Sequence, residues 1–166
     1  MSKRDPVDTG WRIHAALADW TGKVDAKASF ALTLESALLA GVVSLSTGGR
    51  VLTDLKGAAP VLYWAGIALL VLSVAFAGWV VRPRLRTSRL KREAKQGSFI
   101  YFGHLSHHEW FDVENLLREQ DLLPILSKQL VAMSRIAWEK HRLVQMSLTC
   151  APSGVVLLAA AAFVAR

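Results

Sequence analysis

The chain has 166 residues, of which 52% are hydrophobic and only 20% charged, with a formal net charge of +7. That length suits one domain, and the apolar share exceeds what an ordinary soluble domain carries, so lipid is the expected surroundings for the excess. The single cysteine, Cys150, excludes an internal disulfide and implies no oxidising compartment.

In chain order, residues 1–10 are polar and read as a flexible N-terminus. From Trp11 to Lys27 the pattern is amphipathic: Trp11, Ala15, Ala18 and Gly22 fall on one stripe, and Asp19 and Lys23 sit at i, i+4 in the favourable order. Nothing then breaks a helix before Ser46, so one long helix is expected to run from the amphipathic segment into a first apolar span, 28–46. Some 27 mostly polar residues precede that span, which is the wrong layout for a cleaved signal peptide. "STGGR" (46–50) stops it. Pro60 suits the first turn of a second span, 61–81, and Pro83 ends that one.

The run "RLRTSRLKREAK" (84–95) is basic and can be helical, and "QGSFIYFGHLS" (96–106) reads as a structured loop. Ser106 and Glu109 have capping-box spacing, which predicts a helix to about Glu119. Asp121 and Pro124 signal a restart. Leu126, Leu130, Met133 and Ala137 then line one face of a helix that leads into a third span, 143–165, where Pro152 is expected to kink it. Each span has about 19 to 23 mostly apolar residues and so reaches roughly 28 Å or more, close to the hydrocarbon thickness. The fold class is all-α: an integral membrane protein with about three transmembrane helices and a helical cytoplasmic module, 11–27 and 82–142, the whole of 11–166 forming one membrane domain.

The positive charges set the orientation. Lysines and arginines cluster before the first span, from 82 to 95, and before the third, while the 47–60 connection holds only Arg50 and Lys56. By the positive-inside rule the N-terminus is cytoplasmic and the C-terminus outside. The bilayer is thus the expected partner of the basic charge, not nucleic acid.

Glu35 is the residue that apolar composition does not explain. It lies about seven residues, roughly 10 Å, past the inner edge of the first span, where an ionisable group is costly and points to function. Ser73 in the second span and Thr149 and Ser153 in the third lie at a similar level and could hydrogen-bond it. These four are the candidates for gating or assembly. Beside Glu35, the ladders Ser36–Ala40–Ser44 and Ala37–Gly41 offer faces for close helix approach.

His104, His108 and Asp112 stand at i, i+4 and i+8, but "HEWFD" is not a HExxH motif and no metal site is expected. No GxSxG, Walker loop, CxxC or glycine-rich dinucleotide turn occurs, so neither an enzyme nor a cofactor is expected. In the basic run, Arg84 and Arg86 have a bland reading as lipid-headgroup contacts and a sharper one as partners of a phosphate-bearing ligand. Tyr101 and Phe102 would then offer stacking planes for a base.

Four segments together carry a family resemblance: "WTGKVDAKASFALTLESALLAG" at the entry to the first span, "PRL" after the second, "FIYFGHLS", and "LSKQLVAMSRIAWEKHRLVQMSL" leading into the third. In this order, over residues 11–165, they resemble the Pycsar effector family of small bacterial membrane proteins. The resemblance implies an antiphage effector of the bacterial inner membrane. On that resemblance a partner cyclase makes cyclic UMP or cyclic CMP on infection and the effector responds by impairing the membrane; assembly of several chains into a homo-oligomer or pore, with Glu35 around one axis, is the physical route expected for it. Asp25, Lys27, Tyr101, Phe102, Gly103 and His104 match its motifs. With Arg84 and Arg86, they make Asp25, Lys27, Tyr101, Phe102 and His104 the ligand-binding candidates. The alternative is a non-enzymatic scaffold or anchor that binds lipid or a partner protein through its basic face.

Overall fold

The structure is a computed structural model, which describes residues 5–47, 57–83 and 87–165. Every regular element among these is an α-helix: α1 (Pro6–Thr47), α2 (Ala59–Val81), α3 (Thr87–Lys95), α4 (Phe102–Leu105), α5 (Trp110–Glu119) and α6 (Leu122–Val164). Three of them, α1, α2 and α6, are long and apolar enough to cross a membrane. The helices divide between two compact units, one from Met1–Thr21 with Pro83–Trp138, the other from Gly22–Arg82 with Glu139–Arg166. We call these the polar and the apolar unit.

The apolar unit packs its three helices along heptad stripes. On α1 the buried positions are Val24, Ala28, Ala31 and Glu35; on α2, Ala59, Tyr63, Gly66, Leu70, Ser73, Ala77 and Val80; on α6, Val144, Ser147, Ala151, Gly154 and Ala161. Steps of three and four are those of a narrow helix–helix seam. What lies outside the seam is apolar as well: Phe30, Leu34, Val43, Val61, Trp64, Leu72, Val156 and Phe163 are all exposed, whereas three of the buried positions are polar, Glu35, Ser73 and Ser147. A water-soluble bundle has the opposite distribution, charged outside and apolar inside. An exterior of this kind is stable against lipid.

In this unit α2 and α6 approach closely at a pair of glycines. A Cβ on Gly66 would lie 2.9 Å from the Gly154 carbonyl oxygen, and a Cβ on Gly154 would lie 2.9 Å from that of Gly66. Only glycine at both places lets the two backbones meet. The ladders on α1 do not serve this purpose, since Ser36, Ala37, Ala40, Gly41 and Ser44 lie outside its buried stripe. At another level, Ser46 on α1 hydrogen-bonds the Tyr63 hydroxyl on α2. Pro60 stands in the first turn of α2, as expected, and the helix ends at Val81 with Arg82 as its C-cap, directly before Pro83.

In the polar unit α1 begins earlier than its polar composition suggests. Asp5 accepts from the Val7 N–H at 3.0 Å, which starts the helix at Pro6, so residues 6–10 are helical. The buried stripe there runs through Gly10 and Leu17, and Trp11, Ala15, Ala18 and Gly22 are exposed. Gly10 lies against Leu126 and Leu130 of α6, which explains the choice of stripe. On α6, Leu126 and Ala137 are buried and Leu130 and Met133 half-buried, the face read from the sequence.

One boundary differs from expectation. Ser106 does not cap α5; it closes α4, a single turn inside the segment read as a loop. The capping box is formed by Glu109 and Asp112 instead, with the Glu109 N–H donating to Asp112 Oδ2 at 3.3 Å. A carboxylate caps as well as a hydroxyl does, and Asp112 stands three residues past Glu109, the spacing the box requires. Asp121 starts α6 by accepting from the Leu123 N–H at 3.0 Å. α6 continues unbroken through Pro152.

Candidate functional site

Glu35 is only 3% exposed. Its position in the α1 seam, one turn past Ala31, turns the carboxyl group toward the other helices of the apolar unit. The Ser147 hydroxyl on α6 donates to Glu35 Oε1 at 2.7 Å, and Glu35 Oε2 is buried without a hydrogen-bond partner among the described residues. A buried oxygen left in this state costs about 1–3 kcal/mol.

Ser147 is the partner that sequence reasoning missed. Thr149 and Ser153 have nearly the same depth but lie on the exposed side of α6, and their hydroxyls donate back to carbonyls of their own helix, Thr149 to Gln145 and Ser153 to Thr149. Ser73 is fully buried and donates to the Leu70 carbonyl at 2.9 Å. Depth alone did not distinguish these residues. The heptad stripe through Val144, Ser147 and Ala151 does.

At the start of the apolar unit Asp25 meets Lys140. The Lys140 ammonium donates to both carboxylate oxygens, at 2.6 and 2.8 Å, and links α1 to α6. Asp25 is therefore engaged by a residue 115 positions away in the chain. Lys27, two residues further on, is exposed.

The remaining motif residues build one knot in the polar unit. Tyr101 precedes α4 in extended conformation, and its carbonyl accepts from the His104 and Leu105 N–H groups. Its ring lies 4.3 Å from that of Phe102 and edge-on to His104 at 5.5 Å. Burial raises the Tyr101 phenol above its ordinary range. His104 is buried on α4, and its Nε2 faces Glu93 Oε2 of α3 at 3.1 Å, while Nδ1 has no partner among the described residues. Phe102 is exposed. Arg84 and Arg86 lie outside the described residues.

The three-residue metal spacing dissolves in three dimensions. His104 belongs to α4, His108 lies in the connection and faces the Ser98 carbonyl through Nε2 at 3.2 Å, and Asp112 is in the first turn of α5. Among the described residues no cluster of three or more His, Cys, Asp or Glu is placed to hold a metal ion.

Helices throughout the described residues, three of them long and apolar enough to cross a membrane, with a buried carboxyl group in the first, define the class as multi-pass membrane protein. Comparison with protein families gives the particular assignment: the Pycsar effector protein domain matches residues 9–166, and the chain belongs to that family. It is an antiphage defence effector with transmembrane helices, a multi-pass protein of the inner membrane. No curated protein and no solved structure matches the chain.

Proposed function

We propose that this effector responds to a cyclic pyrimidine mononucleotide, cyclic UMP or cyclic CMP, made by a partner cyclase, and then impairs the inner membrane. The observation that carries the reading is Glu35: a carboxyl group enclosed by membrane helices, one oxygen bonded to Ser147 and the other without a partner among the described residues. In the resting state this group is hidden from lipid and water. A ligand acts by preferring a second arrangement of the helices, and a preference of about 10⁴-fold takes a population from 1:99 to 99:1. α1 and α6 each contribute to both units, so a change in the polar unit has two covalent routes to the Glu35–Ser147 contact.

In the second arrangement α1 turns, the hydrogen bond opens, and Glu35 moves to an inter-subunit position. Several copies then set their carboxyl groups around one axis and admit water. Orientation follows the basic residues, with the N-terminus and the polar unit cytoplasmic. The test is membrane depolarisation in cells that express the chain with its cyclase and are infected with phage. The native chain depolarises the membrane, and Glu35→Leu does not. Depolarisation that is equal in the variant removes Glu35 from the mechanism, and none in the native chain overturns the reading.

A further inference from the structure

We propose that the cleft between the end of α3 and the face of α5 is the nucleotide site, an inference that rests on the reading above and gives it a location. The cleft measures about 680 Å³ and lies wholly within the polar unit. That volume is in the range of small-molecule sites, roughly 300–1,000 Å³, and has room for a mononucleotide.

Its walls are fixed by local structure. α3 ends in a Schellman turn: the Ser98 N–H donates to the Glu93 carbonyl, and the Gly97 N–H to that of Ala94. Gly97 takes the left-handed conformation this turn needs, at φ +83°, and the Gln120 side chain lies against it, where a Cβ would come within 2.9 Å of Nε2. The opposite wall is one stripe of α5, Asp112, Asn115, Leu116 and Glu119. His108 is held to the Ser98 carbonyl, and His107 stands beside it.

The lining offers what each part of a cyclic pyrimidine nucleotide requires. The Lys95 ammonium and the imidazole of His107 suit the phosphodiester anion. Asn115 and Gln120 present side-chain amides, each a donor next to an acceptor, and an amide can pair with the edge of uracil or, turned over, with that of cytosine. Leu116 gives an apolar surface for the ring. Glu119 is an acceptor suited to the ribose 2′-hydroxyl. Asp112 is already engaged by the Glu109 N–H. The side chains of Lys95 and Asn115 make no hydrogen bond to the protein among the described residues, so their capacity is unspent. The motif residues do not line this cleft: His104 is committed to Glu93, and Asp25 to Lys140.

Calorimetry on the full chain in detergent, with cyclic UMP, cyclic CMP and cyclic AMP, tests the assignment. The native chain binds a pyrimidine nucleotide more tightly than cyclic AMP. Lys95→Ala and Asn115→Ala each weaken that binding about tenfold or more, the loss of one hydrogen bond to a ligand. Lys128→Ala, which removes an exposed charge elsewhere in the same unit, leaves it unchanged. A native chain that binds with both cleft variants unaffected overturns the location and leaves the function standing. A native chain that binds neither pyrimidine nucleotide overturns both. A second measurement avoids variants: saturating nucleotide protects the Lys95 amine from acylation, read by mass spectrometry. Binding without protection of Lys95 overturns the cleft.

Discussion

Ser147→Ala deletes one oxygen from a fully buried position and leaves the rest of the seam in place. Glu35 Oε1 then joins Oε2, and the whole carboxyl group is buried without a partner among the described residues. Hydrogen bonds between membrane helices average about 0.6 kcal/mol by double-mutant cycles, because the separated helices find other partners. The Glu35–Ser147 bond lies at the upper end, since it is short and fully enclosed, and leaving it unmade costs about 1–2 kcal/mol. The assay is equilibrium unfolding in mixed micelles, titrated with a denaturing detergent and followed by helical circular dichroism. A cycle completes it. With Glu35→Leu in the background, Ser147→Ala removes nothing that the substituted side chain needs, and the same change becomes nearly neutral. Unchanged stability of Ser147→Ala in the native background, or an equal loss in both, refutes the argument that the serine serves the carboxyl group.

The other contacts give smaller tests by the same assay. Gly154→Ala places a Cβ 2.9 Å from the Gly66 carbonyl oxygen, so α2 and α6 must part, and overpacking of this sort costs about 1–3 kcal/mol; Gly41→Ala, in open space, costs nothing measurable. Asp25→Asn weakens the link to Lys140, but Asp25 is about two-fifths exposed, so the loss is within about 1 kcal/mol and shrinks with salt. The chain has two tyrosines, so in Tyr63→Phe the ultraviolet titration reports Tyr101 alone, and its midpoint lies above 10.0. The folded state holds that proton more tightly than the unfolded one, so the contribution is complete below the ordinary value and is lost as pH rises through the raised one.

The three long helices were legible because length and apolar content suffice to identify a span, and no tertiary detail is needed. The face each helix buries was legible only in part. The stripe through Leu126, Leu130, Met133 and Ala137 is apolar against a polar background, and periodicity identifies it. Inside the spans every face is apolar, so periodicity carries no contrast and the seam has to be found from its exceptions. Glu35 marked α1 correctly, but depth alone ranked Ser147 no higher than Thr149. On α1 near Trp11 the sequence pattern pointed to the stripe of Trp11, Ala15, Ala18 and Gly22, whereas the structure buries Gly10 and Leu17, with Gly10 against α6. The cap of α5 was misread for a local reason: Ser106 and Glu109 have capping-box spacing, and so do Glu109 and Asp112, and the turn of α4 decides between them. The pairing of Asp25 with Lys140 crosses most of the chain, beyond the reach of any local pattern.

The proposed gating role sets function against stability at position 35. A leucine would fill the same heptad position without an orphaned oxygen, and Ser147 would lose little, because a helical serine can turn its hydroxyl to a carbonyl of its own helix four residues back. Glu35→Leu is therefore expected to unfold at a higher detergent fraction than the native chain. The same substitution is expected to abolish depolarisation in infected cells that carry the cyclase. A gain in one assay with a loss in the other is the signature of a residue kept for what it does, at a cost to the fold. A variant that is less stable than the native chain and still depolarises the membrane would place Glu35 among the structural residues, and gating would have to be sought elsewhere.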